Sequence, residues 1–208
     1  MERTNITREV RALMPHRALT VTEAFTVAEL QATKLLKALE IDRPAVDVAR
    51  LAELPKIEVR MQPRHRMPTL AGFSQWTEGR WLVVINRDSV PGRRRFTLAH
   101  EFKHVLDHPS YKLAYKHLGR GDTRKHDQQV EMICNYFAAC FLMPRTWIKH
   151  AHVQGIQDEE ALAGMFMVSI EAMHNRLIHL GYIGDDRRPL ADYFRGDQVV
   201  PEGSALAA

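Results

Sequence analysis

Two histidines four residues apart form the pattern in this sequence that is best suited to chemistry. They stand in the segment His100-Glu101-Phe102-Lys103-His104. On a helix, four residues rotate by about 40° and rise about 6 Å, so both imidazoles leave the same face. Two nitrogens placed in this way suit a tetrahedral zinc ion, which binds histidine at about 2.0–2.1 Å. Zinc lowers the pKa of its bound water to about 7, and Glu101 is then able to take a proton from that water. The segment predicts zinc-dependent hydrolysis with Glu101 as general base.

The setting of this segment supports the metal interpretation. A five-residue pattern with two free positions also arises by chance, and the chain has 11 histidines. Here, however, the pattern lies inside a predicted helix that follows predicted strands. An inactive protein with a purely structural zinc ion is also conceivable from the two histidines. The presence of Glu101, which is able to act as a base, argues against it. The apolar side of the predicted helix carries Phe96, Leu98, Ala99, Phe102 and Val105.

A catalytic zinc ion commonly has three protein ligands and one open position, so a third ligand is required. His108 lies about 12 Å along the helix axis from His100, too far for both to bind one ion, and is expected to end the helix. Glu131 is the best-placed candidate, because an acidic side chain among apolar residues is costly to bury without a cation. The other candidates downstream are His117, Asp122, His126 and Asp127.

Several motifs in order indicate a family. Residues 95–104 contain the histidine pair, residues 131–139 read Glu-Met-Ile-Cys-Asn-Tyr-Phe-Ala-Ala, and residues 142–144 read Leu-Met-Pro. Further matches are Gly72-Phe73, Ile85-Asn86 and the C-terminal stretch 162–181. Over roughly residues 26–183 the sequence resembles the ImmA/IrrE family of metallopeptidases. Lys103 departs from the family, which often has glycine there; it is expected to point away from the metal.

The resemblance implies the site and the role of the protein. It implies zinc bound by His100, His104 and Glu131, with Glu101 as general base in peptide-bond hydrolysis. It also implies a protein substrate, a helix-turn-helix repressor of the XRE type, whose cleavage relieves repression of mobile-element or stress genes.

Two parts of the peptidase hypothesis come from general chemistry. A substrate strand is expected to add to an exposed sheet edge near Gly72. A donor is also needed for the carbonyl oxygen of the substrate, and the sequence does not choose among its candidates. These candidates are Tyr111, Tyr115, His117 and Tyr136.

The elements that must position these residues predict an α+β fold. We expect a small antiparallel or mixed sheet packed on a zincin-like helical core, with a C-terminal helical, helix-turn-helix-like subdomain. Strands are predicted at residues 56–61, 70–76 and 81–86, with the last one internal and the segment around Gly72 at an edge. Helices are predicted from residue 26 onward and at 45–54, 91–108, 125–143, 159–166 and 170–180.

Caps and domain boundaries follow from the same patterns. Thr26 with Glu29 matches a capping box, and Asp88 or Ser89 is a plausible cap for the helix that carries the histidines. The predicted organisation is a loosely packed N-terminal arm (1–25), a metallopeptidase domain (26–150), a C-terminal helical subdomain (151–183) and a flexible tail (184–208).

Composition favours a cytoplasmic protein. Hydrophobic residues make up 45% and charged residues 26% of the chain, as in globular proteins, and the formal net charge is +4. The start of the chain does not resemble a signal peptide, and no apolar run is long enough to span a membrane. The two cysteines, Cys134 and Cys140, are expected to be reduced core residues.

A DNA-binding function is the alternative. Residues 160–180 also resemble a helix-turn-helix, so a transcription regulator with a metal-dependent sensor domain is the alternative to the peptidase. Core packing is the favoured use of this segment, and direct nucleic-acid binding is not expected. Arg93, Arg94 and Arg95 favour either contact with an acidic partner or a solvated basic face. The few residues that would read bases are Glu171, His174, Asn175 and Arg176.

Overall fold

A mixed sheet of three strands forms one layer of the structure, in the order β1-β3-β2. Strand β3 (Arg80–Asn86) pairs in parallel with β1 (Ile57–Gln62) and antiparallel with β2 (Gly72–Thr77). The central position of β3 agrees with its burial, because Val83, Val84 and Ile85 are almost inaccessible. The predicted α+β fold with an internal third strand and an edge near Gly72 is therefore confirmed.

Helices form the rest of the fold in this computed structural model, which describes residues 5–184. The described helices are α1 (Ile6–Arg11), α2 (Val21–Ala38), α3 (Pro91–Asp107), α4 (Tyr111–Ala114), α5 (Thr123–Leu142), α6 (Arg145–Val153), α7 (Glu159–Phe166) and α8 (Ile170–Leu180). Helix α3 packs on β2 and β3 and also on α5, which in turn packs on α2. One hydrophobic core runs through these elements. None of the described helices combines the length and apolarity needed to cross a membrane.

Helix α3 begins without a side-chain cap. Pro91 occupies its first turn, where the missing N–H costs nothing and the fixed φ favours a helix. The predicted cap at Asp88 or Ser89 is wrong. The Asp88 carboxylate instead accepts a hydrogen bond from the backbone N–H of Arg64 at 2.8 Å.

Helix α2 begins earlier than the sequence predicted. Its capping box is Thr20 with Glu23, and the Thr20 hydroxyl oxygen accepts a hydrogen bond from the Glu23 N–H at 3.3 Å. The same Thr-x-x-Glu pattern recurs at Thr26, but the buried face of the helix already includes Ala24. A start at Thr26 would leave that part of the apolar face outside the helix.

Within the predicted N-terminal arm, the described residues 5–25 are not loosely packed. Ile6 and Val10 on α1 are buried in the common core, as is Leu19. The Arg11 guanidinium donates to the carbonyl oxygens of Val105, at 2.7 Å, and Leu106, at 3.2 Å, in the last turn of α3. The segment therefore holds the end of the helix that carries the histidines.

Two further helix predictions need correction. The predicted helix at 45–54 is only a 3-10 helix, Val48–Leu51, because Ala45 adopts a left-handed φ of 62° and Asp47 caps the short turn. Helix α6 was not predicted: it has nine residues, of which only Ile148 and Ala151 are buried.

The C-terminal helices α7 and α8 have the predicted bounds. Arg176 on α8 is 1% exposed, and its Nε donates to the carbonyl oxygen of Met143 at 3.0 Å. Nδ1 of His174 lies within hydrogen-bond distance of Oε1 of Glu159 on α7, at 3.0 Å. Two of the four candidate base-reading residues are thus used within the protein. The predicted tail lies, apart from Gly184, outside the described residues.

Candidate metal centre

Helices α3 and α5 bring together the side chains of His100, His104 and Glu131. The two Nε2 atoms are 3.2 Å apart. Glu131 Oε2 lies 3.2 Å from Nε2 of His100, and Oε1 lies 3.3 Å from Nε2 of His104. Ligands of a tetrahedral ion at 2.0–2.1 Å are about 3.3 Å from one another. The three side chains therefore have the spacing of one face of a zinc coordination tetrahedron, and this cluster is suited to hold a metal ion.

Helix α5 also orients both histidine rings. Nδ1 of His100 lies 2.8 Å from Oδ1 of Asn135, and Nδ1 of His104 lies 3.7 Å from Sγ of Cys134. When Nδ1 carries the proton and donates it outward, Nε2 of each ring is left free to bind a metal. Asn135 and Cys134 follow Glu131 by four and three residues, so one face of α5 supplies a ligand and both orienting groups.

The electrostatics of the cluster favour a bound cation. Burial lowers the pKa of His100, but the hydrogen bond with Glu131 and the charges of Glu101 and Glu131 outweigh it, so that the pKa rises to about 8. Burial raises the pKa of Glu131, yet its hydrogen bonds to the two histidines hold it far below the ordinary value. Glu131 is therefore an ionised carboxylate at neutral pH, ready to pair with a proton or a metal ion.

Glu101 is a nearly buried carboxylate beside the cluster. The residue is 8% exposed, and its charge contributes to raising the pKa of His100. Within residues 5–184 no hydrogen bond or salt bridge engages it, and its oxygens are not sealed from solvent. These oxygens are therefore able to accept a hydrogen bond from a water molecule held at the metal centre.

The other candidate ligands lie outside this cluster. His108 ends α3 and its ring contacts Trp81, with the centroids 4.8 Å apart. Asp122 caps α5 by accepting a hydrogen bond from the N–H of Lys125. His126 lies 3.1 Å from the carboxylate of Asp127. Among the described residues, Glu131 is the one that completes the histidine pair.

A buried polar network that the sequence did not reveal joins α3 to Gln31 of α2 and to Tyr115, which follows α4. Lys103 is fully buried, and its Nζ donates to Oε1 of Gln31 and to Oδ1 of Asp107, both at 2.7 Å. The hydroxyl of Tyr115 donates to the other oxygen of Asp107. Lys103 is absent from the metal cluster, as expected, but its burial was not foreseen because Gln31 is 72 residues away.

The edge strand β2 meets α3 through Gly72. A Cβ at this position would lie 2.5 Å from Cγ2 of Thr97 and 2.9 Å from the carbonyl oxygen of Val84. The absence of a side chain at Gly72 therefore allows β2 to lie against α3 at Thr97, one helical turn before His100. Among the described strands β2 pairs only with β3, so its other edge has no strand partner.

Together, the small mixed sheet, the histidine pair on one helix and the acidic ligand on the next define a metallopeptidase-like protein. A family model described as IrrE N-terminal-like domain, a peptidase family, matches residues 55–178, more than half of the chain. The chain belongs to this family. The matched region contains the metal cluster and Glu101.

A solved structure shares the fold. The chain is similar to a Mycobacterium tuberculosis transcriptional regulator, with a TM-score of 0.60 and 19% sequence identity. The similarity covers 83% of this chain and 51% of the regulator, so the chain spans about half the length of that protein. No curated protein matches the chain.

Proposed function

We propose that this protein is a zinc-dependent endopeptidase with His100, His104 and Glu131 as metal ligands and Glu101 as general base. The observation that carries the proposal is the triangle of ligand atoms at 3.2–3.3 Å. The carboxylate of Glu101 lies beside it and has no hydrogen-bond partner among residues 5–184. Family membership supports a peptidase. Two imidazoles and one carboxylate are a common ligand set of catalytic zinc, which leaves one position for water.

In this mechanism each residue has one task. Zinc held there would polarise the peptide carbonyl and acidify a bound water molecule. The carboxylate of Glu101 accepts a proton from the attacking water and later delivers it to the leaving nitrogen, so Glu101 ends the cycle ionised. The amide oxygen of Asn135 keeps the ring of His100 oriented throughout.

The proposed substrate is a cytoplasmic helix-turn-helix repressor of the XRE type. This part rests on the resemblance to the ImmA/IrrE family. The open edge of β2 supports a mode in which an extended segment of the repressor adds to the sheet. Two free, buried cysteines agree with a reducing compartment such as the cytoplasm.

Co-expression with helix-turn-helix repressors encoded beside the gene tests the function. We expect the wild-type chain to cut one such repressor and Glu101→Gln to leave it intact, because the variant keeps the metal ligands and loses the base. Glu160→Gln, at an exposed position of α7, is the matched control. Cleavage that persists in Glu101→Gln would contradict the mechanism; metal content, measured by native mass spectrometry, verifies that the variant is loaded.

A further inference from the structure

Strand β2 is in contact with α3 at one end and, through its neighbour β3, at the other. At the first end, Gly72 lies so close to Thr97 that a Cβ would be 2.5 Å from its Cγ2. At the other end, Trp76 is paired with Trp81 of β3. The Trp81 ring contacts the ring of His108, with the centroids 4.8 Å apart. The strand therefore extends along α3 from Thr97 toward His108.

The two contact points on α3 enclose the metal ligands. His108 lies one turn beyond His104, because its N–H donates to the His104 carbonyl oxygen at 3.1 Å. At about 100° and 1.5 Å per residue, four side chains share a sector of about 80° that is about 16 Å long. They are Thr97, His100, His104 and His108. Strand β2 therefore passes the metal ligands on their own side of α3.

The backbone of β2 offers hydrogen-bonding groups to an added strand. The N–H of Asn86 donates to the carbonyl oxygen of Ala71, directly opposite, at 2.8 Å. Hydrogen-bonded and non-bonded pairs alternate in an antiparallel ladder, so the odd-numbered residues of β2 bond to β3. Ser74 and Trp76 direct their N–H and C=O groups to the other edge, which has no partner among the described strands. An extended peptide is able to pair with them there.

Trp76 presents an apolar surface at this edge. It is 47% exposed, although its ring packs edge to face on Trp81 with the centroids 5.5 Å apart. Trp81 is 7% exposed and is held between Trp76 and His108. Because the buried ring supports the exposed one, Trp76 is able to bury its remaining surface against a further apolar side chain.

The place of Trp76 along α3 defines its distance from the reaction. An ion held midway between His100 and His104 would lie about 9 Å along the helix axis from His108, beside which the tryptophan pair lies. An extended peptide rises about 3.3 Å per residue. A side chain that reaches Trp76 therefore belongs to a residue about two or three positions from the bond that is cut.

We propose that Trp76 lines a substrate subsite that binds a large apolar or aromatic side chain two or three residues from the scissile bond. The proposal rests on the peptidase function and deepens it. A residue opposite Trp76 in an added strand has its Cβ about 5 Å from that of Trp76, as cross-strand neighbours do. The substrate segment is thus an extended peptide with a large apolar residue at that position.

Peptide hydroxamates test the subsite without a known substrate. The full chain is loaded with cobalt(II), and binding of alanine peptides is followed by visible absorption, with the metal-binding hydroxamate at the C-terminus in one series and at the N-terminus in the other. We expect phenylalanine at the second or third residue to raise the affinity about fivefold over alanine in one series. An affinity that phenylalanine raises in neither series would overturn the proposal.

Two variants assign this gain in affinity to the indole. Trp76→Thr, a residue that favours strands, is expected to abolish it. Gln75→Ala is the matched control, because Gln75 is the exposed neighbour whose side chain points to the other face of the sheet, and it should keep the gain. A gain of equal size in wild type and Trp76→Thr would refute the role of Trp76.

A charge substitution reverses the expected preference. Trp76→Glu should bind the peptide with lysine at that position more tightly than the one with phenylalanine, because a carboxylate attracts the ammonium group. The melting temperature reports whether each variant is folded. An unchanged preference for phenylalanine in folded Trp76→Glu would contradict contact at this residue. Sedimentation in which wild type dimerises and Trp76→Thr does not would assign the indole to a second copy of the chain instead.

Kinetics on a repressor cut in the co-expression experiment separate the subsite from the peptidase function. We expect Trp76→Thr to raise KM about fivefold with little change in kcat, because the contact binds substrate and transition state alike. If Glu101→Gln abolishes cleavage and phenylalanine gives no gain in affinity, the peptidase function stands and the subsite is wrong. If the wild-type chain binds no cobalt, both proposals fail.

Discussion

At the scale of single residues, Asn135 is the group whose removal should affect the metal most selectively. Its Oδ1 lies 2.8 Å from Nδ1 of His100 and fixes the ring. We expect Asn135→Ala to reduce metal affinity by about 10- to 100-fold, as is typical when such an orienting group is lost. Competition with a zinc chelator measures the change. Asn175→Ala on α8 is the control, and an equal loss in both variants would refute this role.

Metal affinity should also depend on pH through His100. The pKa of this residue in the metal-free protein is about 8, so a proton occupies the imidazole below that pH. Metal binding has to displace that proton. We expect the apparent affinity to rise by up to about tenfold per pH unit between pH 6 and 8 and then to level off. Isothermal titration in a non-chelating buffer checks this, and a flat profile from pH 6 to 8 would exclude it.

The sequence predicted the metal ligands from two features: the helical spacing of the histidines and the free-energy cost of burying an acidic side chain. A helical spacing of four places His100 and His104 on one face. An acid amid apolar residues favoured Glu131 over the other candidates, and the resemblance to the ImmA/IrrE family implied it as the third ligand. The contacts of Asn135 and Cys134 with the histidines were also predictable, because these residues lie four and three positions beyond Glu131 on the same helical face. The partners of Tyr115 and Tyr136 were not predictable, because Asp107 and Glu29 lie on other elements and spacing does not reveal these contacts.

At the scale of elements, the pair Lys103–Asp107 stabilises α3 only while both members are present. Lys103→Met would leave the Asp107 carboxylate buried without its cation, and we expect a loss of about 3–5 kcal/mol in the free energy of unfolding. Urea unfolding of the metal-free protein measures this loss. The exposed Lys112→Met is the matched control.

The double variant separates charge from packing. Replacing both Lys103 and Asp107 with apolar residues of similar size should restore much of the stability, because no unpaired charge then remains in the core. The double variant is compared with the two single variants. If its loss in free energy of unfolding equals the sum of their losses, the unpaired charge does not cause the destabilisation by Lys103→Met.

The order of the strands was predictable, but the beginning of α2 was not. A continuous apolar run placed β3 inside the sheet. Thr20 and Thr26 both start a Thr-x-x-Glu pattern, and the choice between them depends on how far the buried face extends toward Ala24. That extent is set by packing on other elements, which local sequence does not contain.

At the scale of the whole molecule, α1 is joined to the end of α3 through Arg11. Its guanidinium satisfies the carbonyl oxygens of Val105 and Leu106, two of the groups that a helix end leaves unpaired. We expect Arg11→Met to lower the free energy of unfolding by about 1–3 kcal/mol, the cost of partly buried acceptors without donors. Thermal and urea unfolding measure it.

A matched variant lies one turn away. Arg8 is exposed on the same short helix, so Arg8→Met removes an equal charge without touching α3. Equal destabilisation by the two substitutions would show that the carbonyl contacts are irrelevant and that only net charge matters.

The concentration of the metal centre on two helical faces has a mechanical consequence. Little more than one turn of α5 carries Glu131, Cys134 and Asn135. All three contact His100 or His104, which lie one turn apart on α3. A slide of α5 by a single residue, about 1.5 Å, would release every one of these contacts at once. A bound ion would therefore fix α3 and α5 in one relative position. The site would bind metal only when the two helices are in that position.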